Sequence, residues 1–204
     1  MNTNEDIVLL RAQVAAVAAR MIAQDGADYA SAKRKAVQQV RGAEPAGSNA
    51  LPDDRQVEDE VRKYQALFQA DTQPARLAQL RATALEVMDA LAEFSPYVTG
   101  PVLSGTAGAH DDIHLQLFAD SAKEVEIYLL NKNVELDISE TPHFKGARFD
   151  PVETVSFLWG TEGVHAELYE LHDLRGALKP RADGTLARAD AAALRSLMAS
   201  EGSA

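Results

Sequence analysis

The chain contains no cysteine. Disulfides, thiolate metal sites and cysteine nucleophiles are therefore excluded, and a reducing compartment is the natural expectation. No apolar run approaches the roughly 20 residues that cross a bilayer. The opening residues, MNTNEDIVLL, are acidic and lack the basic-then-apolar layout of a signal peptide. The expectation is a cytoplasmic protein with no membrane partner. Basic residues are also short, 20 Lys and Arg against 31 Asp and Glu, for a net charge of −11. Residues 1–100 carry 11 positive and 14 negative charges, and residues 101–204 carry 9 and 17, so the second half alone stands at −8. Such a surface repels a nucleic-acid polyanion, whose binding draws on Lys and Arg contacts to phosphate. The same acidity suits a divalent cation, and it also simply keeps a protein soluble.

Several motifs are missing too. There is no internal repeat and no HExxH or paired-histidine spacing, and a Ser-His-Asp hydrolase is not expected, since Ser104 sits in LSGT and not in a G-x-S-x-G elbow. The GxxGK[ST] phosphate loop shared by the Mur ligases, UDP-N-acetylmuramate–alanine ligase among them, is absent. Those enzymes also have three domains, for which 204 residues are too few. A Rossmann dinucleotide site does not fit, because Gly105-Thr106-Ala107-Gly108 leads into a strand and not a helix.

What is present is a chain with 46% hydrophobic content. That suffices for one good core, or for two small domains sharing an interface. The first half reads as helices. Ile7, Leu10, Val14, Val17 and Met21 form a stripe at steps of three and four, closed by Gly26. A second helix runs from about Asp28, with Tyr29, Ala32, Ala36, Val37 and Val40 inward. Lys33, Arg34 and Lys35 cluster on it, as solvated bases or toward an anionic partner. Residues 41–52 read as a loop. Asp53 and Asp54 open a third helix with Val57, Val61, Tyr64 and Phe68 as its stripe. Pro74 starts a fourth, carrying Leu77, Leu80, Ala84, Val87, Met88 and Leu91.

Beyond Pro96 the period changes. Val98, Val102 and Leu103 suggest a strand interrupted by Gly100 and Pro101. Ile113, Leu115 and Leu117 alternate with polar neighbours. Ser121 followed by Glu124 reads as a capping box and predicts a helix start. Val134 to Ile138 alternates again. The runs 152–159 and 164–169 read as a hairpin across Gly160-Thr161-Glu162-Gly163, with Trp159 as packing. The tail from Pro180 is polar, with at most a short helix near 191–198. The expected class is α+β. The expected layout is a helical region over 1–70 packed on a small mixed-sheet domain over 71–179, then a polar tail over 180–204.

The segment Leu103–Leu117, LSGTAGAHDDIHLQL, carries the chemistry. The order around it is helix, strand, Gly-Thr, short turn, Asp-x-His strand, capped helix and acidic strand. Over residues 76–140 this resembles minimal nucleotidyltransferases of the polymerase-beta superfamily. Gly105-Thr106 stands where the family has Gly-Ser, and Asp112-Ile113-His114 where it has Asp-x-Asp. Glu135 or Asp137 falls at the third carboxylate, and Asp137 is closer in type. The resemblance implies a nucleoside triphosphate held with magnesium or manganese by Asp112, His114 and Asp137, with Gly105 and Thr106 against the phosphates. It also implies transfer of a nucleotidyl group to a small molecule or protein, with the third carboxylate as general base. Residues i and i+2 on a strand share a face, so Asp112 and His114 project together. His114 departs from the family, because imidazole suits zinc, nickel or manganese better than magnesium. The rival expectation is therefore an inactive module of this fold that binds a nucleotide or a protein. The helical first half would then supply an interaction surface or a homodimer interface.

His110 in the key turn and Lys123 and Lys132 beside the capped helix are further candidates for phosphate. Solvated or loop roles are the simpler expectation for all three. His143 and His172 have no ligand spacing, and His165, alternating with Glu167, is expected as a cross-strand or surface residue.

Overall fold

The computed structural model describes residues 3–42, 51–177 and 187–201. The centre of the predicted loop and the start of the predicted tail lie outside them. The chain divides into two compact units. The first runs to Arg76 and takes in Gly108–Asp111. The second comprises Leu77–Ala107 and the chain from Asp112 onward.

The first unit is helical. It contains α1 (Thr3–Asp25), α2 (Tyr29–Arg41), α3 (Asp54–Phe68) and the start of α4 (Gln73–Ala90). The acids predicted at the helix starts act as caps. Asp28 accepts from the Ser31 amide at 2.9 Å, and Asp53 closes a capping box with Gln56 at 2.8 and 3.1 Å. The core differs from the predicted stripe. The innermost face of α1 is Val14, Ala15, Ala18 and Ala19, while Leu10, Val17 and Met21 are only partly covered. Small side chains let helices approach closely, so the alanine face goes inward and the bulkier residues flank it. Phe68, expected on the inner stripe of α3, is 70% exposed.

The second unit is a five-stranded mixed sheet with helices, which makes the protein α+β. Its strands are β1 (Tyr97–Thr99), β2 (Ile113–Ala119), β3 (Asp137–Thr141), β4 (Val152–Trp159) and β5 (Glu162–Glu170). They lie in the order β1-β2-β5-β4-β3. The β2–β5 pair is parallel and the others antiparallel. The predicted strand over 98–103 stops at Thr99, and Gly100–Ser104 winds into a short helix, α5, with Pro101 near its start. Proline lacks the amide that a ladder needs and suits a first helical turn. The helix α6 (Ala122–Asn131) starts where predicted, with Ser121 as its cap through the Lys123 amide at 3.3 Å in place of the reciprocal box with Glu124. The acidic strand sits three residues later than its alternation suggests. Val134 and Leu136 pack against the core before the ladder begins.

One face of the sheet presents Ile113, Leu115, Leu117, Val155, Val164 and Ala166. Together with Leu80, Met88, Leu129 and Leu194 they form the main core. Leu194 belongs to α8 (Ala191–Glu201), the tail helix. Ahead of α8, Ala189 caps the outer edge of β1 by exchanging two backbone bonds with Val98, at 2.8 and 3.0 Å. The opposite face is apolar at one end, where Phe118, Tyr169 and Ala177 of the short α7 (Leu174–Ala177) cluster. Elsewhere that face is polar. No helix among the described residues is long and apolar enough to cross a membrane.

Candidate functional site

Cross-strand partners in a sheet share a face, so the register lays the polar face out in rows. The first row reads Thr99, His114, His165, Ser156, Asp137 across β1, β2, β5, β4 and β3. The second reads Tyr97, Gln116, Glu167, Thr154, Ser139. None of the five strands contains a lysine or arginine.

In the first row the rings of His114 and His165 stack with centroids 5.2 Å apart. His114 is exposed, and the His165 side chain is 35% exposed. Nδ1 of His165 lies 2.8 Å from the Ser156 hydroxyl, and Nε2 lies 3.1 Å from Oδ2 of Asp112. A carboxylate can only accept, so in the neutral ring Nε2–H donates to Asp112 and Nδ1 accepts from Ser156. Asp112 precedes β2 and reaches His165 by lying across Gly163. A Cβ on Gly163 would stand 2.6 Å from Cγ and Oδ1 of Asp112. Glycine, which has no Cβ, leaves this path open.

The second row is more enclosed. Gln116, buried, donates to Glu167 at 2.9 Å, and the Tyr169 hydroxyl donates to the same oxygen at 2.7 Å. Burial first, and then the Glu167 carboxylate, hold the Tyr169 phenol protonated far above its ordinary range. Nearby, Asp173 has its carboxyl held below the usual value. Burial raises it, but Lys145, His143 and His172 together outweigh that.

The predicted site residues separate into three places. Asp112 and His114 share the face as expected. Asp137 is on the same face but on the far edge strand. With β5 and β4 between, it stands about 14 Å from β2 at the usual strand spacing. Glu135 is exposed and precedes β3. Gly105 and Thr106 sit at the end of α5. The amides of Gly105, Thr106 and Ala107 all point at the Pro101 carbonyl, at 3.0, 3.0 and 3.1 Å. Thr106 is buried, with its hydroxyl 3.0 Å from Ser104. Gly105, at φ 86°, takes the left-handed cap conformation. The nearest cation there is Arg81, which is buried. It donates to the Val102 carbonyl at 3.0 Å and pairs with Glu201. These features describe a helix end satisfied from within. Among the described residues no group of three or more His, Asp or Glu side chains is placed to hold a metal ion.

The other candidates are placed as follows. His110 packs in the first unit against Gly26, where a Cβ would lie 2.6 Å from the histidine Cβ. Lys132 sits over the Tyr128 ring at 5.5 Å. Lys33 pairs with Asp54 at 2.6 Å. His143 packs among Phe144, Phe149 and Tyr169, 3.4 Å from Asp173, and His172 pairs with Glu170 at 2.9 Å.

The sequence reading missed the join of Ser156 to His165. The hairpin loop decides it. A two-residue Gly160-Thr161 loop pairs Trp159 with Glu162 and hence Ser156 with His165. A four-residue loop through Gly163 would pair Ser156 with Glu167. Gly160 at φ 63° in the first loop position is the signal for the tighter turn. No protein-family model, no curated protein and no solved structure matches this chain.

Proposed function

We propose that this protein is a nucleotidyltransferase-like module that binds a nucleotide on the polar sheet face of its second unit and regulates rather than transfers. The observation that carries the reading is that Asp112 and His114, the two ends of the Asp-x-His motif, project on one face beside His165. The exposed ring of His114, already stacked on His165, offers a surface for a base, as histidine and other aromatic side chains do elsewhere. Asp112 accepts hydrogen bonds from a base amino group or a ribose hydroxyl. With no basic residue on the strands, the phosphates stay in solvent and any divalent ion comes with them. The active alternative, in which Asp112, His114 and Asp137 jointly hold the metal, needs a carboxylate that stands three strands away, with β5 and β4 between.

The test is thermal unfolding with ATP and GTP, each with magnesium, manganese or zinc. A ligand at a hundred times its Kd adds about 2.7 kcal/mol, a shift of several degrees for a domain this size. The shift should vanish in Asp112→Ala and His114→Ala and persist with the bare nucleoside. No shift with any combination would refute nucleotide binding. A shift that needs the triphosphate and metal, and is lost in Asp137→Ala, would favour the enzyme.

A further inference from the structure

The same face carries a second chemistry, which goes beyond nucleotide binding and does not rest on it. We propose that Ser156 is a nucleophile, with His165 as its general base and Asp112 as the residue that positions His165. Three observations converge. Ser156 and His165 are directly opposed in the β4–β5 register, with the hydroxyl 2.8 Å from Nδ1. This lies within general-base reach. The other ring nitrogen is fixed by Asp112 at 3.1 Å, which completes the order of nucleophile, base and orienting group. The third observation is Gly163, whose missing side chain is what lets Asp112 lie across β5. Other polar contacts of the face include a simple pair, Thr141 with Thr154, and a convergence on one acceptor, Gln116 and Tyr169 on Glu167. Here a carboxylate from outside the row is brought in over a glycine to hold a ring that already faces a hydroxyl.

The surroundings select the substrate. Asp137 stands next to Ser156 in the row, Glu167 lies in the row beside it, and no strand carries a basic residue. An anionic phosphate ester is disfavoured there, and a small neutral carboxylic ester fits. In the first half-reaction the Ser156 oxygen bonds to the acyl carbon and the ester C–O bond breaks. The hydroxyl proton passes to Nδ1 of His165 and from there to the leaving alkoxide. The Nε2 proton stays on the ring throughout, donated to Asp112. Water then repeats the sequence, releasing the carboxylic acid and restoring Ser156.

The absence of cysteine gives a clean experiment on the full chain. The wild type is treated with a fluorophosphonate probe without nucleotide or metal, so that failure leaves the nucleotide reading standing. Labelling should map to Ser156 and fall on the order of a hundredfold in His165→Asn. In parallel, Ser156→Cys introduces the chain's sole thiol, and its alkylation by iodoacetamide is followed against pH. Pairing with His165 should keep that thiol reactive well below the ordinary midpoint of about 8.5. Adding Asp112→Asn should move the midpoint back toward the ordinary value, which a merely structural carboxylate would not do. Absence of Ser156 labelling on the folded wild type overturns the proposal, as does an introduced thiol that titrates like a free one. If His165→Asn fails to fold, the thiol profile in the otherwise unaltered chain decides alone.

Discussion

Two glycines take a neighbouring side chain at the same distance for different reasons. A Cβ at Gly163 or at Gly26 would meet Asp112 or His110 at 2.6 Å. Gly26 in addition has φ at +65°, where any L side chain is strained, whereas Gly163 has no such backbone demand. Overpacking costs about 1–3 kcal/mol. We therefore expect Gly163→Ala to lose stability in that range by urea unfolding, and most of the loss to disappear in an Asp112→Ala background. Gly26→Ala should remain costly even with His110→Ala. Equal and additive losses at both sites would show that crowding is not the cause. The same-face placement of Asp112 and His114 was legible in the sequence, because period two fixes it. The Ser156–His165 contact was not, because it depends on a loop length that differs by two residues between equally plausible turns.

At the scale of elements, α6 meets β4 through like charges. The Glu153 carboxyl is raised first by its hydrogen bond to Glu126, then by burial, then by the Glu126 charge. Glu140, opposite it on β3, adds to the rise and Lys123 opposes it. A raised folded value means the folded state holds more proton than the unfolded chain above the ordinary value of 4.5. Stability then falls as pH climbs through that window, and the deficit persists at neutral pH. Glu126→Gln should therefore gain a few tenths to about 1 kcal/mol at pH 7 and little below pH 4, measured by urea midpoints across pH. A gain that is flat with pH would contradict the raised Glu153 carboxyl. Most element positions were legible from caps and periodicity, as Asp28, Asp53 and Ser121 illustrate. The five-residue α5 was not, since one turn and a half shows no period. β3 was misplaced because Val134 and Leu136, which lead into it, pack partly buried against the core without belonging to the ladder.

At the scale of the molecule, the chain leaves its second unit at Gly108, spends four residues in the first, and returns at Asp112. Within the first unit that turn is tied by the Gly108 amide to Asp111 at 2.8 Å and by the seating of His110 on Gly26. Residue-resolved hydrogen exchange should find the Gly108 and Asp111 amides opening with α1–α3. Opening in step with β2 and β5 would contradict the division. The acidity legible in the sequence has its counterpart in strands without a single basic residue, which narrows what the sheet face can attract. The grouping of a mid-chain turn with N-terminal helices was beyond sequence reading, because a four-residue turn has no pattern that names its partner.

The central parallel pair has a consequence for how the site comes into being. Ser156 and His165 are nine residues apart, while Asp112 and His165 are 53 apart. Closing the longer loop costs about 1.5 kcal/mol more in chain entropy. The hydroxyl–imidazole half can thus form with the hairpin alone, on the microsecond scale of hairpins, whereas the carboxylate arrives only when β2 zips onto β5. In refolding of the Ser156→Cys chain followed by alkylation, the change in thiol reactivity beside His165 should precede any effect of Asp112→Asn. Simultaneous onset would argue against the two stages. A chain stalled before that last step would hold an imidazole free to choose either tautomer, so the final strand pairing is also the moment at which His165 acquires a direction.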